Sequence, residues 1–458
     1  MGIGGTQEGL RQNGRSVYGF FGVVGPHVDL SKGPGESHIR PPTSLDFLWE
    51  LVSLRIIYNT PNLVWLAITL ALYTFFPYDL HPTNSAAAVG PISVAFFKER
   101  LGLWFVVIGG YYLYWHATLY GLNWCQRPFI PNRTYKVMKV LHNLAYLTEG
   151  VVTWTAFENV FCFLWATGRL PYMTDAAAFA SWKGQAVFWA GLVLIPQWRD
   201  FHFYFAHRLL HFRPNYMFVH SLHHRNTDVE PFSGLCMHPV EHLYYYACVL
   251  PNLLPMLSPS SFLFNGIHLT LAPAASHSGY EDHWQSDHFH YCHHRYFEMN
   301  YAGWGAAFLD YWFGSFWGEG WKKEKGPIAV RDDAKATANL LAQPPSVETV
   351  VYMATSCGCV LAWAVAACGM WGVYVAPVAA KLPVVGAMLS TPPSLWWLGV
   401  AAGFGPTVIA LVWAIAKEGP GVTIKPFERR PAWETVLHLV IGTIFCPLSV
   451  TLTCWLCM

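Results

Sequence analysis

Eight histidines in three short clusters constrain this chain more than any other feature. The clusters are His207-x3-His211, His220-x2-His223-His224 and His290-x2-His293-His294. Residues three and four apart lie on one face of a helix, so each cluster predicts imidazoles that project together. A neutral imidazole offers one nitrogen to a metal, and eight nitrogens suit two ions better than one. Imidazole without clustered thiolates indicates iron, copper or zinc, and argues against a structural zinc site.

The rest of the composition predicts a membrane-embedded, all-α protein. Of 458 residues, 53% are hydrophobic and only 12% are charged, roughly half the usual share. A net charge of +1 gives no indication of a nucleic-acid partner. A spanning helix needs about 20 mainly apolar residues, so some of the apolar segments are short enough to be re-entrant. The segments are 63–76, 101–120, 143–165, 186–205, 243–256 and 262–275.

The chain changes character along its length, which predicts four parts. Residues 1–45 are Gly-rich and polar and are expected to form a flexible lead-in. Residues 46–330 carry the histidine clusters and are expected to form the membrane-embedded catalytic domain. A polar stretch, 331–346, leads into three His-poor apolar segments within 347–458, predicted to be a separate transmembrane module of unknown role.

Two polar residues before the first cluster, Asp200 and His202, differ in their predicted helical position. His202 lies five residues before His207, about 140° away from the predicted ligand face, and is left out. Asp200 lies seven residues before His207 and returns to that face. Its carboxylate is therefore predicted to accept a hydrogen bond from a ligand ring.

Three other interpretations of the histidines compete with a dinuclear site. Isolated histidines such as His116 and His142 are expected to be ordinary core residues. A heme protein would use single axial histidines on separate helices rather than adjacent pairs. A metal transporter would mix carboxylates into the spans, whereas these clusters lie at the ends of apolar segments.

The clusters and their context resemble the membrane sterol desaturase and fatty acid hydroxylase superfamily, and sterol C-4 methyl oxidases in particular. Its pattern is His-x3-4-His, His-x2-His-His and His-x2-His-His, and the resemblance covers about residues 185–320. The ending of this chain lacks the usual Trp-Asp order. The context that carries the resemblance is Asp200 to Arg208, Glu230-Pro231-Phe232, His238-Pro239-Val240-Glu241, His277-Ser278-Gly279-Tyr280, Asn300-Tyr301 and Asp310-Tyr311-Trp312-Phe313-Gly314.

The resemblance implies further site residues. His277 matches a ligand position of the family, which would make nine metal-binding histidines. The fatty acid hydroxylases have another histidine four residues later, where this chain has Glu281. Glu281 is expected to be either a metal ligand or a base beside one. His238 and His242 are weaker candidates for a supporting role.

The resemblance also implies a function. It predicts a non-heme di-iron oxidoreductase that uses O2 to hydroxylate, demethylate or desaturate a lipid, with zinc able to replace iron in a purified sample. A sterol is the first substrate expected, and a fatty acyl chain, sphingolipid or carotenoid is the alternative. A non-catalytic, His-rich metal-binding or transport protein is the alternative of another class.

The same resemblance predicts partners and a location. The chain has no His-Pro-Gly-Gly heme motif. Electrons from NADH or NADPH are therefore expected through a separate cytochrome b5 or a reductase. The site is expected on the cytosolic side of the endoplasmic reticulum, in a multi-pass protein that could form a homodimer.

Overall fold

Helices occupy the places where the sequence predicts apolar segments. The computed structural model describes residues 60–316, apart from short gaps at 91–92, 123–127, 131–135, 212–214, 254–256, 281–285, 298 and 313–314. The predicted lead-in, linker and C-terminal module lie outside these residues. No β-strand occurs in the described part, where an isolated bridge joins Pro128 to Tyr280. The all-α prediction is therefore confirmed for that part.

Four long helices form the scaffold. They are α1 (Thr60–Phe75), α2 (Val94–His116), α3 (Val137–Ala166) and α5 (Trp182–Leu210). The short α4 (Asp175–Phe179) comes directly before α5 and packs against it. Ser181 begins α5 by accepting a 3.1 Å hydrogen bond from the Gly184 amide, which satisfies one free N–H of the first turn.

Shorter elements follow and carry most of the histidines. They are α6 (Ser221–His224), a 3-10 helix (Pro231–Leu235), α7 (Pro239–Tyr246), α8 (Pro259–Ser276), α9 (Ser286–Tyr296) and α10 (Ala307–Trp312). Proline stands at the first helical position of the 3-10 helix, α7 and α8. That position needs no backbone N–H, so proline favours a helix start there.

Helix α3 lies at the centre of the apolar core and packs against α2, α7 and the 3-10 helix Pro231–Leu235. Trp154 of α3 stacks on Phe262 of α8 with ring centroids 5.3 Å apart. A Cβ atom on Gly266 of α8 would lie 2.1 Å from the Trp154 ring, so only glycine allows this approach. The core therefore fixes α8, whose last turn leads into the histidine site.

A buried ion pair ties α2 to α3. The Arg100 guanidinium donates to both oxygens of Glu158, at 2.7 and 3.1 Å. Trp104 Nε1 and the Tyr78 hydroxyl also donate to Glu158, at 2.6 and 2.8 Å. Each carboxylate oxygen of Glu158 therefore accepts two hydrogen bonds, and the buried charges of Glu158 and Arg100 are well compensated.

Within residues 60–316, none of the described helices combines the length and apolar character needed to cross a membrane.

Candidate metal centre

Nine buried histidines come together in two groups. The nitrogen atoms that each group offers lie within 4.8 Å of one another. The five-histidine group contains His207, His211, His220, His224 and His293. The four-histidine group contains His223, His277, His290 and His294. These are the nine residues that the sequence and the resemblance suggested, and the structure brings all of them to one place.

The two His-x2-His-His motifs divide their rings between the groups. His220 and His224, four residues apart, face the same group, and so do His290 and His294 in the other group. The middle histidine of each motif, His223 or His293, joins the opposite group. The expectation that each cluster projects together is thus met by the i and i+4 residues only. His223 and His224 reach different groups because successive residues turn by about 100° around a helix, and their ring planes lie at 83° to each other.

Several helix ends meet at the site. His207 lies in the last turn of α5, and His211 follows that helix directly. His220 ends a π-helical turn and leads into α6, which carries His223 and His224. His277 caps the C-terminus of α8. Helix α9 supplies the remaining three histidines.

Five rings are oriented through their Nδ1 atoms, each of which faces an oxygen. The pairs are His207 with the Tyr301 carbonyl (2.6 Å), His293 with the Met299 carbonyl (2.6 Å), His277 with the Pro273 carbonyl (2.9 Å), His223 with the Cys236 carbonyl (3.3 Å) and His220 with the Glu241 carboxylate (2.8 Å). A carbonyl oxygen can only accept, so the facing Nδ1 carries the proton. The Nε2 atom of such a ring is left with a lone pair directed into the group.

The distances between Nε2 atoms fit a shared metal ion. His223 and His277 both donate through Nδ1, yet their Nε2 atoms lie 3.3 Å apart with two lone pairs facing each other. His207 and His220 repeat the arrangement at 3.1 Å. Nitrogens bound to one ion through bonds of about 2.1 Å, at right angles, would be about 3.0 Å apart. A cation between the rings would remove the repulsion between these lone pairs, so the donor set fits an ion in each group.

Burial keeps the nine imidazoles neutral. It lowers the pKa of every histidine in both groups, and neighbouring rings lower several of these values further. The pKa of His220 falls to about 3 and that of His223 to about 4. At neutral pH the rings are therefore available as metal ligands rather than protonated.

Glu241 has the role that the sequence analysis gave to Asp200. The Asp200 carboxylate points to the turn after α9, where its Oδ2 would lie 2.2 Å from a Cβ atom on Gly305. Among the described residues, no hydrogen bond joins Asp200 to a histidine ring, and the Tyr301 carbonyl faces His207 instead. The seven-residue spacing placed Asp200 on the correct helical face but could not show that a backbone carbonyl already occupies the position beside the ring.

The other candidates lie around the site or outside the described residues. Glu281, a predicted ligand or base, lies outside them. His202 is buried and belongs to neither group, as predicted. His238 accepts a hydrogen bond from the Val240 amide and begins α7, and His242 pairs with Glu149 of α3. Neither of the last two belongs to the metal-binding groups.

Backbone carbonyls are the parts of the site that the sequence analysis missed. Tyr301 belongs to the Asn300-Tyr301 motif, and nothing in the sequence indicates that its carbonyl orients His207. Asp310 was likewise only a motif residue. Its carboxylate accepts hydrogen bonds from the amides of Tyr301 and Ala302, at 2.9 and 2.7 Å, and so holds the backbone that orients His207.

Comparison with known proteins agrees with the geometry. Residues 192–315 match the family model described as fatty acid hydroxylase, and this range holds all nine histidines. The family name implies an oxidoreductase that acts on lipids. No solved structure matches the chain. The resemblance to the sterol desaturase and fatty acid hydroxylase superfamily is therefore confirmed over residues 192–315, the part of the chain that matches the fatty acid hydroxylase model.

Proposed function

We propose that the chain is a non-heme di-iron oxidoreductase that uses O2 to hydroxylate, demethylate or desaturate a lipid. One observation carries the proposal: nine buried, neutral histidines offer ring nitrogens to two groups within the segment that matches the fatty acid hydroxylase family. A sterol is the first substrate to test, because of the His238-to-Glu241 and His277-to-Tyr280 motifs. A fatty acyl chain, sphingolipid or carotenoid is the alternative.

The two groups would each hold one iron ion. Imidazole suits iron, and an iron pair supplies the redox chemistry that activates O2 toward an unactivated C–H bond. Glu281 is proposed as a further ligand of the four-histidine group or as a base beside it. It stands four residues after His277, as His211 stands four residues after His207.

The protein's own contribution is orientation and exclusion of water. Oxygen atoms beside Nδ1 fix five rings so that each Nε2 lone pair points into its group. All nine histidines are buried, which removes competing water ligands and keeps the rings neutral. Such a preformed site needs little rearrangement when it binds its ions.

The proposed reaction needs two external electrons. Hydroxylation converts R–H, O2, two electrons and two protons into R–OH and water. Desaturation removes two hydrogens from adjacent carbons and yields two waters with the same inputs. NADH or NADPH is the proposed reductant, through a separate cytochrome b5 or a reductase.

We further propose that the chain is embedded in a membrane, with endoplasmic reticulum as the first compartment to test and the histidine site on the cytosolic side. The low charge content supports this. Large apolar side chains are also exposed on the long helices, including Leu70, Phe75, Val106 and Trp182, all more than half exposed. A homodimer is a further proposal.

The test combines a metal count with product analysis. The full chain is purified in mild detergent, loaded with Fe²⁺ and counted for metal by elemental analysis. The reduced protein is then given 18O2 and a panel of sterol, fatty acyl and sphingolipid substrates. Two ions per chain and a lipid product that carries 18O, or a new double bond, are expected.

A matched variant pair separates chemistry from background. His223→Ala should lose one ion and the product, whereas His202→Ala removes a buried histidine outside both groups and should keep both. Two ions that exchange freely, with no O2 consumption on any lipid, would instead favour the metal-binding or transport alternative. A wild-type chain without bound metal would overturn the dinuclear site itself.

A further inference from the structure

The two histidine groups are oriented by separate pieces of backbone. In the five-histidine group, His293 faces the Met299 carbonyl and His207 faces the Tyr301 carbonyl, each at 2.6 Å. Both carbonyls belong to the loop 299–302. One short loop therefore orients two rings of the same group, and these rings come from different helices.

Asp310 holds this loop in shape. Its Oδ1 accepts hydrogen bonds from the Tyr301 amide at 2.9 Å and from the Ser315 hydroxyl at 2.6 Å. Its Oδ2 accepts one from the Ala302 amide at 2.7 Å. Asn300 within the loop has φ of 52°, a left-handed conformation that asparagine adopts more readily than most residues other than glycine. Asp310 is fully buried and hydrogen-bonds to none of the nine histidines in the described structure.

The four-histidine group is oriented by a different element, the 3-10 helix Pro231–Leu235. Cys236, which caps its C-terminus, presents its carbonyl to His223 at 3.3 Å. The carbonyl of Pro273 faces His277 at 2.9 Å. Gly234 lies directly against that carbonyl, since a Cβ atom on it would be 2.3 Å from the Pro273 oxygen. The 3-10 helix thus supports both carbonyls.

Glu230 holds this helix. Its side chain accepts the Phe232 amide at 3.0 Å, and its own amide donates to the Ser233 hydroxyl at 3.1 Å. Its second carboxylate oxygen accepts from Asn143 Nδ2 at 2.7 Å, which ties the start of the helix to α3. A reciprocal cap of this kind satisfies the free N–H groups of the first turn. Like Asp310, Glu230 is buried and hydrogen-bonds to none of the nine histidines in the described part of the chain.

We infer that Asp310 and Glu230 are positioning residues, each serving one metal ion: Asp310 serves the ion of the five-histidine group and Glu230 the ion of the four-histidine group. The inference rests on the proposed dinuclear site. Asp310 shapes a loop whose own carbonyls orient two rings. Glu230 shapes a helix that ends at the Cys236 carbonyl and packs against the Pro273 carbonyl of α8. Loss of either acid should therefore release two ligands of one group together. Groups that orient ligands typically change metal affinity about 10–100-fold when they are removed.

The test uses histidine variants that are expected to bind one ion each, so that each histidine group is measured separately. His223→Ala weakens the four-histidine group and leaves the five-histidine ion, and His224→Ala does the reverse. Asp310→Asn and Glu230→Gln are placed in both backgrounds in the full chain. Each protein is loaded with Co²⁺, and the visible spectrum and the rate of Co²⁺ release to a chelator are recorded.

Selective effects are expected. Asp310→Asn should speed release about tenfold and alter the Co²⁺ spectrum in the His223→Ala background, with less than about twofold change in the His224→Ala background. Glu230→Gln should show the opposite pattern. Glu158→Gln is the matched control, because Glu158 is equally buried but serves the Arg100 network. It should lower the unfolding temperature and leave both release rates unchanged.

The outcomes separate this inference from the proposed function. A wild-type chain that binds no metal would overturn the function. Two ions in the wild type, with both acids affecting both backgrounds equally or neither background at all, would overturn only the inference. If a single-histidine variant loses both ions, the same acids are compared in the wild-type chain. In that chain, Asp310→Asn and Glu230→Gln should each speed the release of one of the two Co²⁺ ions. The variant with both substitutions should speed the release of both ions.

Discussion

Glu241 Oε1 lies 2.8 Å from Nδ1 of His220, and both side chains are buried. A carboxylate beside the outer nitrogen of a ligand fixes the ring and makes its inner nitrogen a stronger donor. The same α7 helix carries a second pair of this kind, His242 with Glu149, which lies outside both groups. The adjacent residues Glu241 and His242 thus form two chemically similar pairs, and only the Glu241 pair includes a histidine of the metal-binding groups.

Substitution of Glu241 should weaken the five-histidine ion. We expect about tenfold weaker metal affinity for Glu241→Gln, whose amide oxygen can still accept from His220, and about 100-fold for Glu241→Ala. Competition with a chromophoric chelator measures both. Glu149→Gln is the control and should leave metal affinity unchanged. Equal losses in the Glu149 and Glu241 variants would mean that the effect comes from general destabilisation of α7.

Adjacent histidines should control different ions. His223→Ala should remove the ion of the four-histidine group, and His224→Ala the ion of the five-histidine group, because the two rings face different groups. Each single variant should therefore bind one ion per chain, and the double variant none. Elemental analysis gives the counts, and the Co²⁺ spectra of the two single variants should differ. Identical spectra would contradict the assignment of His223 and His224 to different groups.

The local patterns in the sequence were sufficient to predict the helices and eight of the nine histidines, and the family resemblance added His277. Spacing of three and four residues determines which rings can meet on a helix, and His207 with His211 follows directly from it. What spacing cannot provide is the tertiary partner of each ring. The Tyr301 carbonyl reaches His207 from 94 positions away, and any residue type supplies a carbonyl, so the sequence carries no signal for it.

Asp200 illustrates the same limit. The helical period correctly placed it on the face of His207, but its carboxylate lies against the backbone of Gly305, a contact set by how the chain folds back after α9. Glu241 was visible in the sequence as part of a motif. Its pairing with His220 requires α7 to pack beside the π-helical turn that ends at His220, which no local pattern indicates. Long-range packing therefore decided which of the two acids reached a ligand.

Acid should loosen the five-histidine group through Asp310. Burial raises the pKa of this carboxyl to about 6, although hydrogen bonds from Ser315, Ala302 and Tyr301 oppose the rise. Below that pH the carboxyl takes up a proton, one oxygen becomes a donor, and the group can no longer accept all three hydrogen bonds. We expect faster Co²⁺ release at pH 5 than at pH 7 in the His223→Ala chain.

The Asp310→Asn variant provides the control for this pH effect, because its side chain does not titrate. It should release Co²⁺ quickly already at pH 7, and the step near pH 6 should shrink to the part contributed by Glu241, whose pKa burial raises to about 7. The ligand rings do not cause such a step, since burial lowers the pKa of His220 to about 3. A step of the same size in the asparagine variant would show that another group is responsible.

Two glycine substitutions should separate the stability of the fold from the integrity of the metal site. A Cβ atom on Gly234 would lie 2.3 Å from the Pro273 oxygen, and one on Gly266 would lie 2.1 Å from the Trp154 ring. Both substitutions overpack the core, which typically costs about 1–3 kcal/mol of unfolding free energy. Only the first displaces a carbonyl that orients a histidine.

We therefore expect Gly234→Ala to lower the metal count from two ions to one, while Gly266→Ala lowers the unfolding temperature and keeps both ions. The ion that Gly234→Ala retains should show the Co²⁺ spectrum of the His223→Ala chain, because the five-histidine group does not depend on the Pro273 carbonyl. Retention of both ions by Gly234→Ala, at a similar loss of stability, would show that the 3-10 helix can move without turning His277. Loss of an ion in Gly266→Ala would show that packing of α8 alone governs the site.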